Sequence, residues 1–376
     1  MKKYKDNFFC PLPWNSIEAD PLRQMRPCCD FRDRIKAQTV EEYFQSEQLL
    51  QVQKQILNNE IPNGCKRCPE REKFGNSKRT LSLQRQGISC IEDTVTDKIL
   101  ALDIKPTNKC NMSCLSCSPL DSSLVFLQAK NNKDHMDHYI EVYETYKKQK
   151  LNNGWDLQFI NSLIDRLDSN ATVHITGGEP SIAINCLQFL KKLVDRNLTS
   201  ITIKMHSNFQ HHSQEFTDLL AKFDNLIIRA SIDAVGNTAE FIRPGTVWQT
   251  VESNILSFTK QFPCSKFSIN PAMSILNIWF LKDLENWCTD RKYYLDVENV
   301  LLWPEYFKIN IRENFKQKLL DEIEYSNIKS MIEKDYDEFL GDQCKTNLEK
   351  NDKARSVEYK HHLPKLWRML NVEEKN

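Results

Sequence analysis

The chain has 376 residues, of which 40% are hydrophobic and 27% are charged, a balance typical of a folded, water-soluble protein with two or three domains. Lys plus Arg and Asp plus Glu each total 51, so no overall positive field attracts large nucleic acids or an anionic membrane. The sequence contains no apolar run long enough to span a bilayer and no signal-peptide core near Met1. We therefore expect a cytoplasmic protein.

Residues 1–95 are rich in cysteine and charge and contain one clear helical pattern, TVEEYFQSEQLLQVQKQILNN. The whole chain has 13 cysteines, and because cytosolic thiols stay reduced, metal or cluster ligation explains them better than disulfides do. The cysteines of this region are Cys10, Cys28, Cys29, Cys65, Cys68 and Cys90. The two-residue gap in CKRC is common to zinc and iron-sulfur sites. We predict a small domain stabilised by a metal.

A different pattern begins at about residue 97, where apolar runs rich in β-branched residues alternate with amphipathic segments. This alternation predicts an α/β fold with a parallel sheet built from βα units. The six predicted strands are 99–104, 171–176, 200–206, 226–232, 267–273 and 294–302. Six units are too few to close an eight-stranded barrel, so we predict a partial, TIM-like (β/α)6 barrel over residues 96–308.

The connections and the end of the chain are predicted to be helical. Residues 119–170 are long enough for two helices, with HMDHYIEVYETYKKQK and LQFINSLIDRL as the candidate segments. Residues 309–376 are charged and amphipathic, and we predict a helical C-terminal extension that packs on the barrel or covers its open edge. After residue 170, four cysteines stand alone in the sequence, namely Cys186, Cys264, Cys288 and Cys344. We expect these four and Cys90 to be buried small apolar side chains.

Three cysteines, Cys110, Cys114 and Cys117, lie in KPTNKCNMSCLSCSP, directly after the first predicted strand of the barrel. A structural zinc site takes four protein ligands, whereas a cubane 4Fe-4S cluster held by three thiolates leaves one iron open. A fragment of a zinc site and scattered core cysteines are the alternatives. The segments GGEP, HSNF and SIDA follow the next three strands. Because the carboxyl ends of parallel strands share one edge, we expect these segments to form one site.

The cysteine spacing, together with ITGGEP, HSNF and SIDAVGNTAEFIRPGTVW in this order, resembles the radical S-adenosylmethionine superfamily. The resemblance implies a 4Fe-4S cluster on Cys110, Cys114 and Cys117 that reduces S-adenosylmethionine and releases a 5'-deoxyadenosyl radical. It also implies that S-adenosylmethionine is bound by Gly177, Gly178, Glu179, Ser207, Asn208, Ser231 and Arg243. One departure is Ser116, at a position where the superfamily usually has an aromatic residue.

The N-terminal cysteines, within FCPLPWNSIEADPLRQMRPCCD and IPNGCKRCPERE, resemble the SPASM and twitch domains that accompany many of these enzymes. This resemblance implies a twitch domain at residues 1–95 and a second, auxiliary iron-sulfur cluster of the 4Fe-4S type. The implied ligands are Cys10, Cys28, Cys65 and Cys68. We choose Cys28 over its neighbour Cys29 from the hairpin register, although Arg23 stands where the hairpin glycine is expected. Structural zinc on the same four cysteines is the alternative.

The combined resemblance implies an enzyme that abstracts hydrogen from a peptide or protein side chain, with flavodoxin or ferredoxin as reductant. Radical modification of a nucleotide or small metabolite is the alternative among enzymes. A non-catalytic iron-sulfur or zinc protein for electron transfer or binding is the alternative of another class. Candidate acid-base residues near the strand ends are Asp233, Glu240 and Glu305, and for each of them a solvated carboxylate or a helix cap is the simpler interpretation.

Overall fold

The computed structural model describes residues 8–72, 77–87, 98–131, 155–333 and 340–371. In these ranges the chain has an α/β fold with one sheet of strand order β3-β2-β1-β4-β5-β6-β7-β8-β9. The strands are β1 (Ser16–Ala19), β2 (Gln24–Arg26), β3 (Ile35–Lys36), β4 (Ile99–Ile104), β5 (Leu167–Ile175), β6 (Thr202–Ser207), β7 (Asn225–Ala230), β8 (Lys266–Ile269) and β9 (Tyr294–Leu295). The pairs β1·β4, β4·β5, β5·β6 and β8·β9 are parallel, whereas β1·β2 and β2·β3 are antiparallel.

Helices precede and follow most of these strands. Before β4 lie α1 (Leu12–Asn15), α2 (Val40–Phe44), α3 (Glu47–Leu57), α4 (Arg67–Glu72) and α5 (Lys78–Gln86). Between β4 and β9 lie α6 (Ser123–Asn131), α7 (Leu157–Ile164), α8 (Ile184–Asp195), α9 (Gln214–Leu220), α10 (Gly236–Ile242), α11 (Trp248–Gln261) and α12 (Leu281–Arg291). After β9 lie α13 (Glu313–Glu322), α14 (Ser326–Glu333), α15 (Gly341–Arg355), α16 (Tyr359–His362) and α17 (Pro364–Asn371).

The chain divides into two compact units. The first unit comprises Met1–Asn108, Gln149–Met205 and Ser213–Ile227, and the second comprises Lys109–Lys148, His206–His212 and Ile228–Asn376. In the first unit, alternate residues of β4 and β5 have opposite environments. Leu102, Ile104, Val173 and Ile175 are at most 1% exposed, whereas the residues between them are partly exposed. This period of two gives the strands one apolar and one polar face.

The N-terminal residues add three strands to the sheet. The antiparallel pair β1 and β2 forms the hairpin that the family resemblance implies before Cys28, with Arg23 at a φ of +61° where a glycine was expected, whereas β3 was not predicted. These strands are two to four residues long, too short for a hydrophobic period to be visible in the sequence. The predicted helix at residues 39–59 is also divided. Thr39 caps α2, and the Ser46 side chain accepts the Leu49 N–H to begin α3. A second N-cap inside an apolar pattern therefore marks a new helix.

The second unit is organised around one apolar core that joins the end of the sheet to the C-terminal helices. Ile275, Leu276 and Ile309 share this core with Leu348 and Leu366, all at most 1% exposed. The helical C-terminal extension predicted from the sequence is confirmed, with its first amphipathic run divided between α13 and α14. Burial of apolar side chains in this core favours the packing of these helices on the end of the sheet.

The α/β prediction is confirmed, and all six predicted strands are present in order as β4 to β9. The last of them was predicted too long. β9 covers two residues, and beyond it Val300 makes only an isolated parallel bridge to Met273. The LQFINSLIDRL segment forms α7, whereas the segment at 135–150 lies outside the described residues. Cys186, Cys288 and Cys344 are buried as expected, but Cys264 is exposed, so that prediction was wrong, and Cys90 lies outside the described residues.

Candidate functional site

The cysteine loop, residues 110–117, lies in the second unit and is fixed from two sides. Toward α6, the Cys110 N–H donates to Ser123 Oγ at 3.2 Å, and Ser122 Oγ donates to the Met112 carbonyl at 2.7 Å. Toward the segment after α10, the Ser113 N–H donates to the Pro244 carbonyl at 2.9 Å, and the Leu115 N–H donates to the Ile242 carbonyl at 3.0 Å. The backbone around the three thiols is therefore held before any ligand binds.

Gly245 allows the close approach of these two segments. Its φ is +102°, and a Cβ at this position would lie 2.5 Å from the Asn111 carbonyl oxygen and 3.2 Å from Met112 Cα. The contact is with backbone, which cannot rotate away as a side chain can. A glycine in the RPG sequence is thus required both by its conformation and by the neighbouring cysteine loop.

Arg243 places its guanidinium on the cysteine loop. Its Nε lies 3.3 Å from Cys114 Sγ, its Nη1 donates to the Ser231 carbonyl, and the same nitrogen is 3.7 Å from an Asp233 carboxylate oxygen. Burial by itself lowers the pKa of Arg243, but the proximity of Cys114 and Asp233 outweighs it and raises the pKa. The guanidinium stays charged beside a thiol, where it can stabilise a thiolate.

The thiols of the loop influence one another. The pKa of Cys117 is raised, chiefly by burial and then by the neighbouring Cys114, with further contributions from Asp121 and Cys110. Thiols that influence one another in this way disfavour simultaneous ionisation unless a cation or metal cluster compensates for the charge. The donor chemistry of this loop therefore fits a metal cluster.

Two more predicted site residues in the second unit lie against the cysteine loop or beside the residues that hold it. Asn208 is 5% exposed, and its side-chain amide donates to the Asn111 side-chain oxygen at 2.8 Å. Ser231 donates its N–H to the Ser207 carbonyl at 2.8 Å, while its own carbonyl accepts from Arg243. Ser207 Oγ accepts the N–H of Phe209, which has a φ of +55°. Asn208 thus contacts the cysteine loop at Asn111, and Ser231 contacts Arg243, which in turn lies on Cys114.

The GGE segment lies in the first unit, directly after β5. Gly177 and Gly178 have φ values of +74° and +58°, and a Cβ on Gly177 would lie 2.8 Å from Lys105 Cβ. Glu179 is 1% exposed and accepts hydrogen bonds from the Ser181 N–H and hydroxyl at 3.2 and 2.9 Å. The glycines permit a tight turn here, and the carboxylate of Glu179 caps the short helix Pro180–Ile182.

The N-terminal cysteines also lie in the first unit, and several of them influence one another's pKa. Burial is the main cause of the raised pKa of Cys10, followed by a backbone hydrogen bond that lowers it and by Cys65 and Cys68, which raise it. Burial followed by Cys10 raises the pKa of Cys28, and burial followed by Cys28 and Cys68 raises that of Cys65 to about 12. For Cys29 the largest influences on the pKa after burial are Lys78, which lowers it, and Asp103, which raises it, and Cys29 in turn raises the pKa of Cys28.

Packing keeps these N-terminal segments together. Cys28 and Cys65 pack against a small apolar core that contains Cys10 and Phe31. The Arg32 N–H donates to the Gly64 carbonyl at 3.1 Å, and a Cβ on Gly64 would lie 2.5 Å from the Phe31 ring. Gly64 therefore lets the segment that carries Cys65 lie directly on the one that carries Cys28.

The three acidic candidates have structural partners. Asp233 accepts the Ala272 N–H at 2.8 Å and faces Arg243, and Glu240 accepts the Trp248 N–H at 2.8 Å at the start of α11. Glu305 has a side chain 66% exposed and pairs with Lys308. Of these three, Asp233 alone is joined by a described contact to a residue that touches the cysteine loop.

The sequence analysis missed a row of three polar side chains on β4, β5 and β6 in the first unit. Asp103 pairs in register with His174, and His174 with Lys204, on neighbouring parallel strands. The Asp103 carboxylate accepts a hydrogen bond from His174 Nδ1 at 2.7 Å, and its other oxygen lies 3.6 Å from Lys78 Nζ. The available signal was an Asp, a His and a Lys at the polar positions of three consecutive apolar strands.

In the described ranges, no group of three or more His, Cys, Asp or Glu side chains is arranged as a site that could hold a metal ion. The cysteine ligand sets consequently rest on donor chemistry and on the electrostatic influence of these thiols on one another. Within the same ranges, no helix has the length and apolar character needed to cross a membrane.

Comparison with known proteins gives structural similarities only. No protein-family profile and no curated protein sequence matches the chain. Native anSMEcpe with bound AdoMet and Cp18Cys peptide is similar at a TM-score of 0.39 and 14% identity, over 59% of each chain. Streptococcus suis SuiB bound to precursor peptide SuiA is similar at a TM-score of 0.35 and 14% identity, over 89% of this chain and 70% of that one.

A third similarity is to TYW1 with a lysine-pyruvate adduct bound, at a TM-score of 0.34 and 15% identity, over 76% of this chain and 94% of that one. The match to anSMEcpe spans about three fifths of that protein's length.

Proposed function

We propose that this protein is a radical S-adenosylmethionine enzyme that abstracts hydrogen from a peptide or protein side chain. The observation that carries the proposal is the cysteine loop, held against residues 242–245 with the Arg243 guanidinium 3.3 Å from Cys114 Sγ. Cys110, Cys114 and Cys117 would hold a 4Fe-4S cluster with one iron open. When bound, this cluster and S-adenosylmethionine supply the 5'-deoxyadenosyl radical.

The residues around the loop contribute binding and orientation. Arg243 donates toward a ligand sulfur and provides a charge that compensates for the negative cluster, while Asp233 and the Ser231 carbonyl fix its direction. Asn208 and Ser231 would hydrogen-bond the cofactor, as the family resemblance implies. We assign the methionyl group of S-adenosylmethionine to Gly177, Gly178 and Glu179 on the same basis. Gly177 and Gly178 have positive φ angles, which would let their backbone groups approach a ligand closely.

An auxiliary 4Fe-4S cluster on Cys10, Cys28, Cys65 and Cys68 forms the second part of the proposal. Its support is the packing of Cys28 and Cys65 against the apolar core that contains Cys10, together with the electrostatic effects of Cys65 and Cys68 on Cys10, of Cys10 on Cys28, and of Cys28 and Cys68 on Cys65. Such a cluster gives the protein an acceptor for the electron that oxidation of a substrate releases. The first cluster would receive its electron from flavodoxin or ferredoxin.

The test of the proposed function is reductive cleavage of S-adenosylmethionine by the anaerobically reconstituted protein. With dithionite as reductant, we expect 5'-deoxyadenosine to form and about eight irons per chain to be present. Absence of 5'-deoxyadenosine from fully reconstituted protein would exclude the radical enzyme. About four irons, with cleavage intact, would exclude the auxiliary cluster alone.

Arg243→Gln is expected to make the reduction potential of the cluster on Cys110, Cys114 and Cys117 more negative by on the order of 50 mV. The reason is that a cation and a hydrogen bond at a ligand sulfur favour the more negatively charged, reduced state. An EPR-monitored redox titration without S-adenosylmethionine measures the shift. Arg291→Gln removes an arginine that pairs with Glu252 in the same unit and serves as the control. An unchanged potential in Arg243→Gln would contradict the role assigned to Arg243.

A further inference from the structure

A cavity of about 330 Å³ lies in the first unit, between helix α5 and the polar face of strands β4, β5 and β6. On α5 it is lined by side chains at helical spacing, which are Lys78, Leu81, Ser82, Arg85 and Gln86. Residues three and four positions apart lie on the same side of an α-helix, so these five side chains form one face of α5. None of the residues of α5 is fully buried, which is consistent with a helix that lines a cavity instead of closing a core.

The opposite wall is formed by strand residues in register. Asp103, His174 and Lys204 are successive partners across β4, β5 and β6 and all line the cavity. Side chains in register on neighbouring strands project to the same face of a sheet. Their neighbours on the other face, such as Val173 and Ile203, are fully buried. The sheet therefore presents these polar groups to the cavity as a fixed row.

The charge of Asp103 is already compensated. Burial by itself raises the pKa of Asp103, but the hydrogen bond with His174 and the ammonium groups of Lys78 and Lys204 outweigh it and keep the pKa well below its usual range. Burial lowers the pKa of His174, so the imidazole is neutral at pH 7. Apart from Cys28, which the proposed auxiliary cluster would bind, the lining has three cationic side chains and one carboxylate, a net excess of two positive charges.

The uncharged lining has two kinds of surface. Leu12, Leu81 and Leu100 are apolar, whereas Ser82, Gln86 and Thr172 carry hydrogen-bonding groups. A volume of about 330 Å³ is near the lower end of the range for ligand pockets. An excess of positive charge beside apolar surface is complementary to a carboxylate on a short aliphatic stem.

We propose that this cavity binds a carboxylate of the substrate carried on a short aliphatic stem, as in an acidic amino-acid side chain, with Arg85 and Lys204 as its cationic partners. The inference rests on the proposed function only in naming the bound molecule as substrate. Cys28, one of the proposed auxiliary-cluster ligands, lines the same cavity. An acidic side chain held there lies against the wall that carries this thiol.

The test measures binding to the full-length reconstituted protein, without reductant or S-adenosylmethionine, by saturation-transfer NMR titration. The probes are N-acetylglutamate amide, its neutral counterpart N-acetylglutamine amide, glutarate and inorganic phosphate. We expect N-acetylglutamate amide to bind about tenfold more tightly than the glutamine probe, because a charge-assisted hydrogen bond is lost in the amide. Glutarate that binds while N-acetylglutamate amide does not would support the carboxylate site and identify a free small acid. Equal binding of the glutamine probe, or tighter binding of phosphate, would overturn the proposal.

Substitutions of Arg85 and Lys204 test whether these two residues bind the carboxylate. Arg85→Gln and Lys204→Met are each expected to weaken binding of N-acetylglutamate amide about five- to tenfold. The matched controls Arg196→Gln and Lys191→Met remove surface cations that pair with Asp165 and Glu215 in the same unit, and we expect them to have no effect. Equal losses in control and test variants would contradict the assignment.

Arg85 lies on an exposed position of α5, so Arg85→Gln leaves the buried sheet intact even if Lys204→Met does not fold. 5'-Deoxyadenosine is measured separately. If S-adenosylmethionine is cleaved but the protein does not prefer the carboxylate probe, only the proposed carboxylate site is overturned. If the carboxylate probe binds selectively but S-adenosylmethionine is not cleaved, only the proposed radical enzyme is overturned.

Discussion

Cys114→Ala is expected to lower 5'-deoxyadenosine formation to the level of a protein-free control and to reduce the iron content from about eight to about four per chain. A cubane that loses one of three thiolates has only two protein ligands, and the Arg243 guanidinium loses its sulfur partner at 3.3 Å. The measurements are product analysis by liquid chromatography and colorimetric iron and sulfide determination. Both are made after anaerobic reconstitution.

The control is Cys264→Ala, which removes an exposed thiol from the same unit. It is expected to retain all the iron and all the cleavage activity, since Cys264 belongs to neither cysteine group. The complementary variant is Cys65→Ala, which should lose about four irons and keep cleavage of S-adenosylmethionine. Retention of cleavage by Cys114→Ala would remove the cysteine loop from the proposed active site.

Gly245→Ala is expected to destabilise the second unit by roughly 2–4 kcal/mol and to reduce the iron retained by the cysteine loop. Two effects add, because the residue has a φ of +102° and its new Cβ would lie 2.5 Å from the Asn111 carbonyl oxygen. To relieve this steric clash, the two segments that are joined by the hydrogen bond from the Ser113 N–H to the Pro244 carbonyl would have to move apart. Urea unfolding followed by tryptophan fluorescence, and hydrogen exchange of residues 110–117, measure the two consequences.

Gly236→Ala provides a matched control for this change. Gly236 also has a positive φ, +56°, but a Cβ there would meet nothing within 4 Å. We expect it to cost about 1 kcal/mol, from backbone conformation alone, and to leave exchange at residues 110–117 unchanged. Equal effects of the two variants would show that conformation, and not the contact with the cysteine loop, accounts for Gly245.

The sequence predicted the α/β fold and the order of the strands because periodicity is local. Runs such as ILALDI and SITIKMH show β-branched and apolar residues within a few positions, and these became β4 and β6. The limits of the prediction are local as well. β1, β2 and β3 are too short to show a period, and the apolar run after Tyr294 was predicted as a long strand although only Tyr294–Leu295 pairs with β8.

The sequence predicted those parts of the candidate site that depend on residue type and on spacing along the chain. The three cysteines of the loop, the glycine pair and Arg243 all stand in recognisable segments of the sequence. The contact of Arg243 with Cys114 joins residues 129 positions apart, and no spacing rule gives such a distance. The same holds for the closeness of Gly245 to Asn111, which explains the RPG glycine.

By itself, the sequence determined the kind of fold, the absence of a large net charge and the two groups of cysteines, because each depends on composition or on neighbouring residues. Only the tertiary structure decided which groups meet. It aligned Asp103, His174 and Lys204 across three strands that are far apart in the chain, and it placed them opposite one face of α5. Strand register and helix packing set such meetings, and both arise from burial of apolar surface throughout the fold and not from any local pattern.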